Sequence, residues 1–593
     1  LSIRNLALTA SCVALCAVAA PAFAAPADDY IELREEIWQD VLDDNPTLAT
    51  RVGDRRGDGR LGDLSLDGYL EDITEAREFL ARLEQIDAAS LPADLRVDHA
   101  ILRRSLQGEI DASQFDHTRY VMFTNRGGWF FSLASLPYSS PLFTEADYES
   151  YVGRLEAFQP MHRDAMARAR KGVEMGLTQA CEPMQGLDAR VERAIFDTPE
   201  ESGLYAPFAE RPATIGEADW TALQMRAKTA LTDGVYPSLR EFVAFYRDDY
   251  MPKCRNGLPG VSETPRGDDY YAYRVKNFTT TDMTPDQIHN LGLSEVARIR
   301  AEMVEVAGKA GFDTREAFID HLRTDPQFYA ETPEELMREA QALAKVMDGW
   351  MPKLFGTLPR LPYTVQPIPA AQAPGNTTAY YESGSLETGQ PGIYRVNTTE
   401  LDQRPLWELP ALGVHEAVPG HHHQIALQQE LDIHPLRRHG TFFTAFVEGW
   451  GLYSERLGIE MGLYDTPAKE MGRLSYEMWR ATRLVVDTGL HSKGWTKQQA
   501  VDFMLDSTAL TPGNIDAEVN RYITWPGQAL AYKIGELKIR ELRTRAETAL
   551  GAKFDLRAFH DTVLENGAVP LDVLEAHVDR WISAELEGDA AAA

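Results

Sequence analysis

The 593 residues carry 90 acidic and 59 basic side chains, a net charge of -31, with 44% hydrophobic and 25% charged residues. Negative charge in this excess works against binding nucleic acid or an anionic membrane surface, and no Lys/Arg run offers a stripe for phosphates. The length admits roughly three to five average domains, or one large helical body.

Arg4, the apolar run LALTASCVALCAVAA and the small-x-small triplet Ala22-Phe23-Ala24 read as an export signal over residues 1–24, cleaved before Ala25. The run holds about 15 apolar residues, short of the roughly 20 that span a bilayer. The expectation is a soluble periplasmic or secreted protein with no stable membrane anchor after cleavage. Beyond the signal only Cys181 and Cys254 remain, and an oxidising compartment permits one disulfide between them.

Residues 25–256 read as an N-terminal helical region. DDYIELREEIWQDVLDDNPTLATRVG is an amphipathic helix interrupted at Asn45-Pro46. SLDGYLEDITEAREFLARLEQID and LPADLRVDHAILRRSLQGEIDASQF repeat apolar residues at threes and fours, with acids toward their starts. NRGGWFFSLASLP, from Asn125 to Pro137, reads as a loop packed on that body. A C-terminal catalytic region is expected from 257 to 593. Its first stretch, NGLPGVSETPRGDDYYAYRVKNFTT, is turn-rich with no helical period, and Thr284-Pro285 then signals the start of a long helix. Short β-branched and aromatic runs between Pro/Gly turns at 359–397 predict a small mixed or antiparallel sheet. Helical patterns return for the remainder, with the metal-site helices at 410–460.

The densest group of ligand-type side chains lies in that last segment: His415-Glu416, then Pro419-Gly420, then His421, His422 and His423, with Glu448 downstream among apolar and aromatic residues. The usual zinc-peptidase arrangement, H-E-x-x-H, sets two histidines one helical turn apart beside a glutamate base. Here position 419 is proline and the next histidine is His421. On a regular helix a residue six further on is rotated by about 240° and lies about 9 Å up the axis; the seventh is about 10.5 Å away. Neither His421 nor His422 could then share one zinc with His415 at about 2.0–2.1 Å per bond. Pro419 cannot donate to the carbonyl of His415, and Gly420 tolerates unusual dihedrals, so a bulge or break at 418–420 can return His421 to His415. His421 is favoured as second ligand over His422, with His423 last. Glu448 is the best third ligand, because an unpaired carboxylate among Phe446, Val447 and Trp450 is costly. Glu455, two turns on, is a supporting residue or substitute ligand.

HEAVPGHHHQ at 415–424 and FVEGWGLYSE at 446–455 match the pattern H-E-x-x-P-G-H-x-x-Q followed by F-x-E-G-W-x-x-Y-x-E. On these motifs the chain resembles the bacterial domain of unknown function 885 family, related to gluzincin zinc metallopeptidases. The resemblance continues through WRATRLVVDTGLHSKGW, RYITWPGQALAYKIG and FHDTVLENGAVPLDVL. It implies a mostly α, multi-helical metallopeptidase-like fold with a deep cleft, and the small sheet would lie just before the histidine helix. It also selects His421, the histidine directly after Pro-Gly, as the ligand.

The roles that follow are those of an exported peptidase acting on short peptides. One zinc ion held by His415, His421 and Glu448 polarises the scissile carbonyl and a water, and Glu416 accepts the water's proton. Tyr532 and His491 are candidate oxyanion donors, with Tyr522 behind them. Arg483, Asp487 and His491 recur every four residues on one helix face, so Asp487 is expected to orient His491 or pair with Arg483. Arg483 and Arg521 are the foremost candidate clamps for a peptide carboxylate, beside Arg480 and Lys533. Tyr380 and Tyr381 mark an edge strand that could pair with a peptide backbone, a contact Asn397 would complete. His422 is a supporting neighbour of the ligands. The alternatives are a zinc hydrolase of modified or cell-wall peptides, and a metal- or peptide-binding protein without turnover.

Overall fold

The computed structural model describes residues 26–369, 373, 377–386 and 389–587; the expected export signal lies outside the described residues. The chain is mostly α-helical. Helices α1 (Pro26–Asp44), α2 (Leu66–Leu83) and α3 (Ala93–Ala112) pack Tyr30, Leu33, Phe79 and Leu102 into a cluster joined by Leu436 from the C-terminal half. The break after α1 falls at Asn45-Pro46, as the proline requires. Helix α4 (Glu145–Glu174) opens on a reciprocal Thr144–Asp147 capping box. Its Leu155 and Phe158 meet Trp129, Phe130 and Phe242 in a second cluster. The aromatic loop is partly structured, since Ser132–Ser135 is a 3-10 turn and Leu136–Ser139 a short helix. Cys181 and Cys254 form a disulfide, with Cα atoms 5.0 Å apart.

One expectation is corrected at residues 267–279. The tyrosine-rich stretch is helix α5 (Gly267–Thr279), not turn. Arg266, at φ 55, turns the chain into it, Asp268 and Asp269 sit in its first turn, and Tyr270, Tyr271 and Val275 are buried. Burial of tyrosines on one side outweighs their weak helix propensity. Helix α6 (Pro285–Lys309) then starts where predicted, with Thr284 and Gln287 capping each other.

The sheet is mixed. Strands β1 (Tyr363–Pro367), β2 (Ala379–Glu382) and β3 (Gly392–Val396) lie in the order β1-β3-β2. β1 runs parallel to β3, pairing Val365 with Tyr394, and β2 antiparallel, pairing Tyr381 with Tyr394. β2 is thus an edge strand, and Tyr394 stands in the middle, 1% exposed.

The helices after the sheet frame the histidine segment: α7 (Leu409–Glu416), α8 (His421–Glu430), α9 (Thr444–Leu457), α10 (Pro467–Ser492), α11 (Pro512–Thr524) and α12 (Ala531–Leu550). Every residue of α10 from Met471 to His491 is buried, which makes it the central rod of the C-terminal half. α9 and α12 cross with backbones almost touching at Gly449 and Gly535. A Cβ on Gly535 would lie 1.8 Å from Ala445 O and 2.8 Å from Gly449 Cα. No helix among the described residues is long and apolar enough to cross a membrane.

Candidate metal centre

α7 is apolar, and Leu409 through His415 are all buried. It ends at Glu416 because Pro419 has no N–H for the carbonyl of His415. The chain turns through Ala417–Gly420 and starts α8 at His421. Gly420 makes this reversal sterically possible: a Cβ there would lie 1.9 Å from His415 O and 2.4 Å from Val414 O. His422 N reaches back across the turn to Ala417 O at 3.1 Å, and the α8 ladder continues with Gln424 N donating to Gly420 O at 3.1 Å. Trp450 Nε1 donates to Pro419 O at 2.8 Å and pins the turn to α9.

The reversal brings the His421 ring perpendicular to that of His415, centroids 4.7 Å apart. Glu448 comes in from α9, its Oε2 3.6 Å from His415 Nε2 and 3.4 Å from His421 Nε2. One ligand atom from each of the three residues lies within 4.8 Å of the others. Tetrahedral zinc with ligands at about 2.0–2.1 Å sets neighbouring donor atoms about 3.3 Å apart, close to these separations. Glu448 Oε2 and His421 Nδ1 are buried without hydrogen-bond partners, so the donor set fits a cation. Burial pushes the Glu448 carboxyl up, but the His415 and His421 imidazoles outweigh it and hold it well below the usual carboxylate range. Burial pushes His415 down, and Glu448 and Glu455 outweigh that, raising it to about 9. A field that retains a proton here also favours a metal cation.

Supporting groups fix the first histidine. His415 Nδ1 faces Glu455 Oε1 at 2.9 Å, leaving Nε2 for Glu448, and Arg480 Nη2 holds the same Glu455 oxygen at 3.1 Å. A carboxylate behind a ligand histidine sets its tautomer and orientation. Glu416 is half-buried and has no hydrogen-bond partner among the described residues. The Tyr394 hydroxyl is buried, unpartnered and close enough to feel the Glu416 charge. Tyr394 was not singled out as a site residue in the sequence; its place in the β-type run just before the histidine motif was the available signal.

The remaining candidates divide. His422 bridges Tyr381 OH (3.0 Å) and Leu361 O (3.1 Å), so it ties α8 to the sheet and does not face Glu448. Burial lowers it to about 4. His423 is fully buried against Phe355, ring centroids 4.2 Å apart. His491 has both ring nitrogens on backbone: Nδ1 accepts from Val261 N and Nε2 faces Tyr522 O, each at 3.0 Å. Asp487 neither orients His491 nor pairs with Arg483; it accepts from Tyr271 OH at 2.6 Å and Gly527 N at 3.1 Å. Lys533 is fully buried between Glu477 and Glu536, each at 2.9 Å, and Glu295 at 3.1 Å, which removes it from the clamps. Asn397 donates to Ala373 O between β1 and β2 and accepts from Thr399 N after β3. Tyr380 is half-buried on the edge strand. Arg483 and Arg521 both contact Glu518, and Tyr532 OH accepts from Arg521 Nη2 at 3.3 Å. Elsewhere, Asp40, Asp44 and Glu75 form a second group with metal-ligand spacing.

Five chains of known structure resemble this one. A protein described as a lipoprotein from Colwellia psychrerythraea matches with a TM-score of 0.85 at 27% identity, covering 94% of this chain and 99% of that one. A protein from Shewanella oneidensis, described as a lipoprotein of unknown function, gives a TM-score of 0.66 at 18% identity, covering 93% and 99%, a likeness of fold alone. No curated protein matches. The family described as bacterial protein of unknown function (DUF885) matches residues 46–578. That span begins just after α1 and runs through the His415–Glu448 centre, and the chain belongs to the DUF885 family.

Proposed function

We propose that the chain binds one zinc ion through His415, His421 and Glu448 and hydrolyses amide bonds of short peptides. The convergence of these three side chains, with Glu448 Oε2 otherwise unpartnered, carries the reading. Zinc held there supplies Lewis acidity toward a carbonyl and acidifies water. Glu416, adjacent to the ligand His415, takes a proton from the attacking water on its carboxylate and returns it to the departing amine. Glu455 and Arg480 keep His415 Nε2 aimed inward. Tyr532 remains the oxyanion donor, whereas His491, with both nitrogens engaged by backbone, is withdrawn from that role. The peptide would lie in a cleft between the β2 edge and helices α9, α10 and α12.

The three ligands alone support a narrower reading, a metal- or peptide-binding protein without turnover; Glu416 is what adds hydrolysis. An extracytoplasmic location is supported by the N-terminal sequence, by the Cys181–Cys254 disulfide and by the lipoprotein description of the Colwellia protein. Metal analysis of the purified protein, paired with digestion of a mixed-peptide pool followed by mass spectrometry, tests the function. Wild type should hold one zinc per chain and cleave. Glu416→Gln should retain the metal and lose cleavage by about 100-fold or more. Undiminished cleavage by Glu416→Gln would remove the base, and metal without cleavage in wild type would leave the binding reading.

A further inference from the structure

A second concentration of charge lies along α10. Arg483 is 2% exposed. Its Nε donates to Tyr522 OH at 2.9 Å and its Nη2 to Glu518 at 3.0 Å. Its guanidinium lies 4.5 Å from the Trp479 ring centroid and 4.3 Å from that of Tyr532. Its third nitrogen, Nη1, is buried with no partner. Arg521 comes from α11, with Nη2 on Gln528 Oε1 at 2.7 Å and Nη1 3.5 Å from Glu518.

A third arginine arrives from the other half of the chain. Arg126 sits in the tight Thr124–Gly127 turn, which is fastened to α11 where Asn125 Oδ1 accepts from Thr524 Oγ1 at 2.7 Å. The Arg126 side chain is exposed, has no hydrogen bond or ion pair among the described residues, and feels the charges of Glu518, Arg521 and Arg483. Arg483 and Arg521 therefore share one carboxylate, with the unpaired Arg126 close enough to feel its charge. Burial pushes Glu518 up, yet Arg521, Arg483 and Arg126 together bring it down to about 2. Uncompensated buried cations cost several kcal/mol, so a cluster left short of negative charge is built for an anion that comes from outside.

Two routes tie this cluster to the metal centre. Trp479 also stacks on Arg480, 4.5 Å away, and Arg480 holds the Glu455 that orients His415. Tyr532 lies one helical turn before Gly535, which abuts Gly449 beside the ligand Glu448. We propose that Arg126, Arg483 and Arg521 form the subsite for the C-terminal carboxylate of a short peptide, so that cleavage is counted from that end. A planar monoanion suits guanidinium forks and the aromatic walls of Trp479 and Tyr532. A dianion would meet more repulsion from Glu518. The proposal rests on the peptidase reading for what happens to the peptide, though not for its binding.

Calorimetry on zinc-loaded Glu416→Gln protein, which cannot turn the probe over, tests it with trialanine, trialaninamide and the amide of Ala-Ala-Asp. Trialanine should bind about 30-fold more tightly than either amide. Arg126→Ala should remove about 10-fold or more of that affinity and leave trialaninamide unchanged. Because Arg126 is exposed, this variant tests the subsite even if the buried Arg483→Lys fails to fold. Equal binding of acid and amide, tight binding of the Asp amide, or an Arg126→Ala protein that still binds trialanine fully would overturn the subsite. If wild type cleaves nothing while the carboxylate preference holds, hydrolysis fails and the subsite stands. If wild type cleaves acids and amides alike, the reverse is true.

Discussion

His421 sits at the first position of α8 with Nε2 3.4 Å from Glu448, whereas His422, one residue on, is hydrogen-bonded to Tyr381 and Leu361. A helix turns by about 100° per residue, so adjacent histidines cannot serve the same centre. Removing each should have opposite consequences. His421→Ala should weaken metal binding by more than about 100-fold, while the metal-free fold gives up only the 3.4 Å pairing with Glu448, since Nδ1 has no partner. His422→Ala should leave one metal per chain but cost about 1–3 kcal/mol, through unsatisfied groups at Leu361 and Tyr381. Metal content after dialysis and urea denaturation in EDTA separate the two effects. Equal metal loss in both variants would end the ligand assignment.

At the scale of elements, the centre depends on two close passages of backbone: Gly420 on the carbonyls of α7, and Gly535 on α9. Gly535→Ala drives a methyl into Ala445 O and Gly449 Cα, and only separation of α9 from α12 can relieve it. That separation would carry Glu448 with it. The expected result is a loss of about 3 kcal/mol in thermal denaturation, with weaker metal retention. Gly513→Ala on α11, where nothing lies within 4 Å, should be neutral and is the control. The break at Pro419-Gly420 was legible in the sequence because proline and glycine act through their own backbone. The disulfide pairing was legible because only Cys181 and Cys254 follow the expected export signal. Helix α5 was hidden by tyrosines, whose preference depends on what buries them. The fate of His491 was hidden because its partner Val261 is 230 residues away. Arg126 was hidden because the Asn125–Thr524 contact that positions its turn spans 399 residues. Local chemistry could be read from the chain; contacts across the two halves could not.

For the whole molecule, a net charge of -31 favours solubility but leaves carboxylates short of cations. Asp40 and Asp44 on α1 face Asp72 and Glu75 on α2. Burial and then the neighbouring acids raise Asp40 to about 7 and Asp44 to about 6. No ion pair reaches Asp40, Asp44 or Glu75 among the described residues. A carboxyl with a raised folded pKa holds its proton longer in the folded state than in the unfolded chain. Stability from this group therefore falls as pH rises from about 4 toward 7 and stays lower above that. Buried histidines pull the other way. Burial lowers His117 and His491 to about 4 and His560 to about 3. Each lowers stability as pH drops below about 6.5, where the unfolded imidazole gains its proton first. The two trends oppose each other between about pH 4 and 6.5, flattening the stability profile there; above it the carboxyls, and His415 with its value raised to about 9, both lower stability as pH rises. Asp40→Asn should accordingly stabilise the protein at pH 8, by less than about 1 kcal/mol because the cluster is partly open to solvent. The gain should fall to near zero at pH 3, below the ordinary carboxyl value of about 3.8, where the folded and unfolded chains both hold the proton. Denaturation in EDTA at the two pH values measures this directly. A stabilisation that is the same at both would show that Asp40 acts through packing or helix propensity and not through its charge.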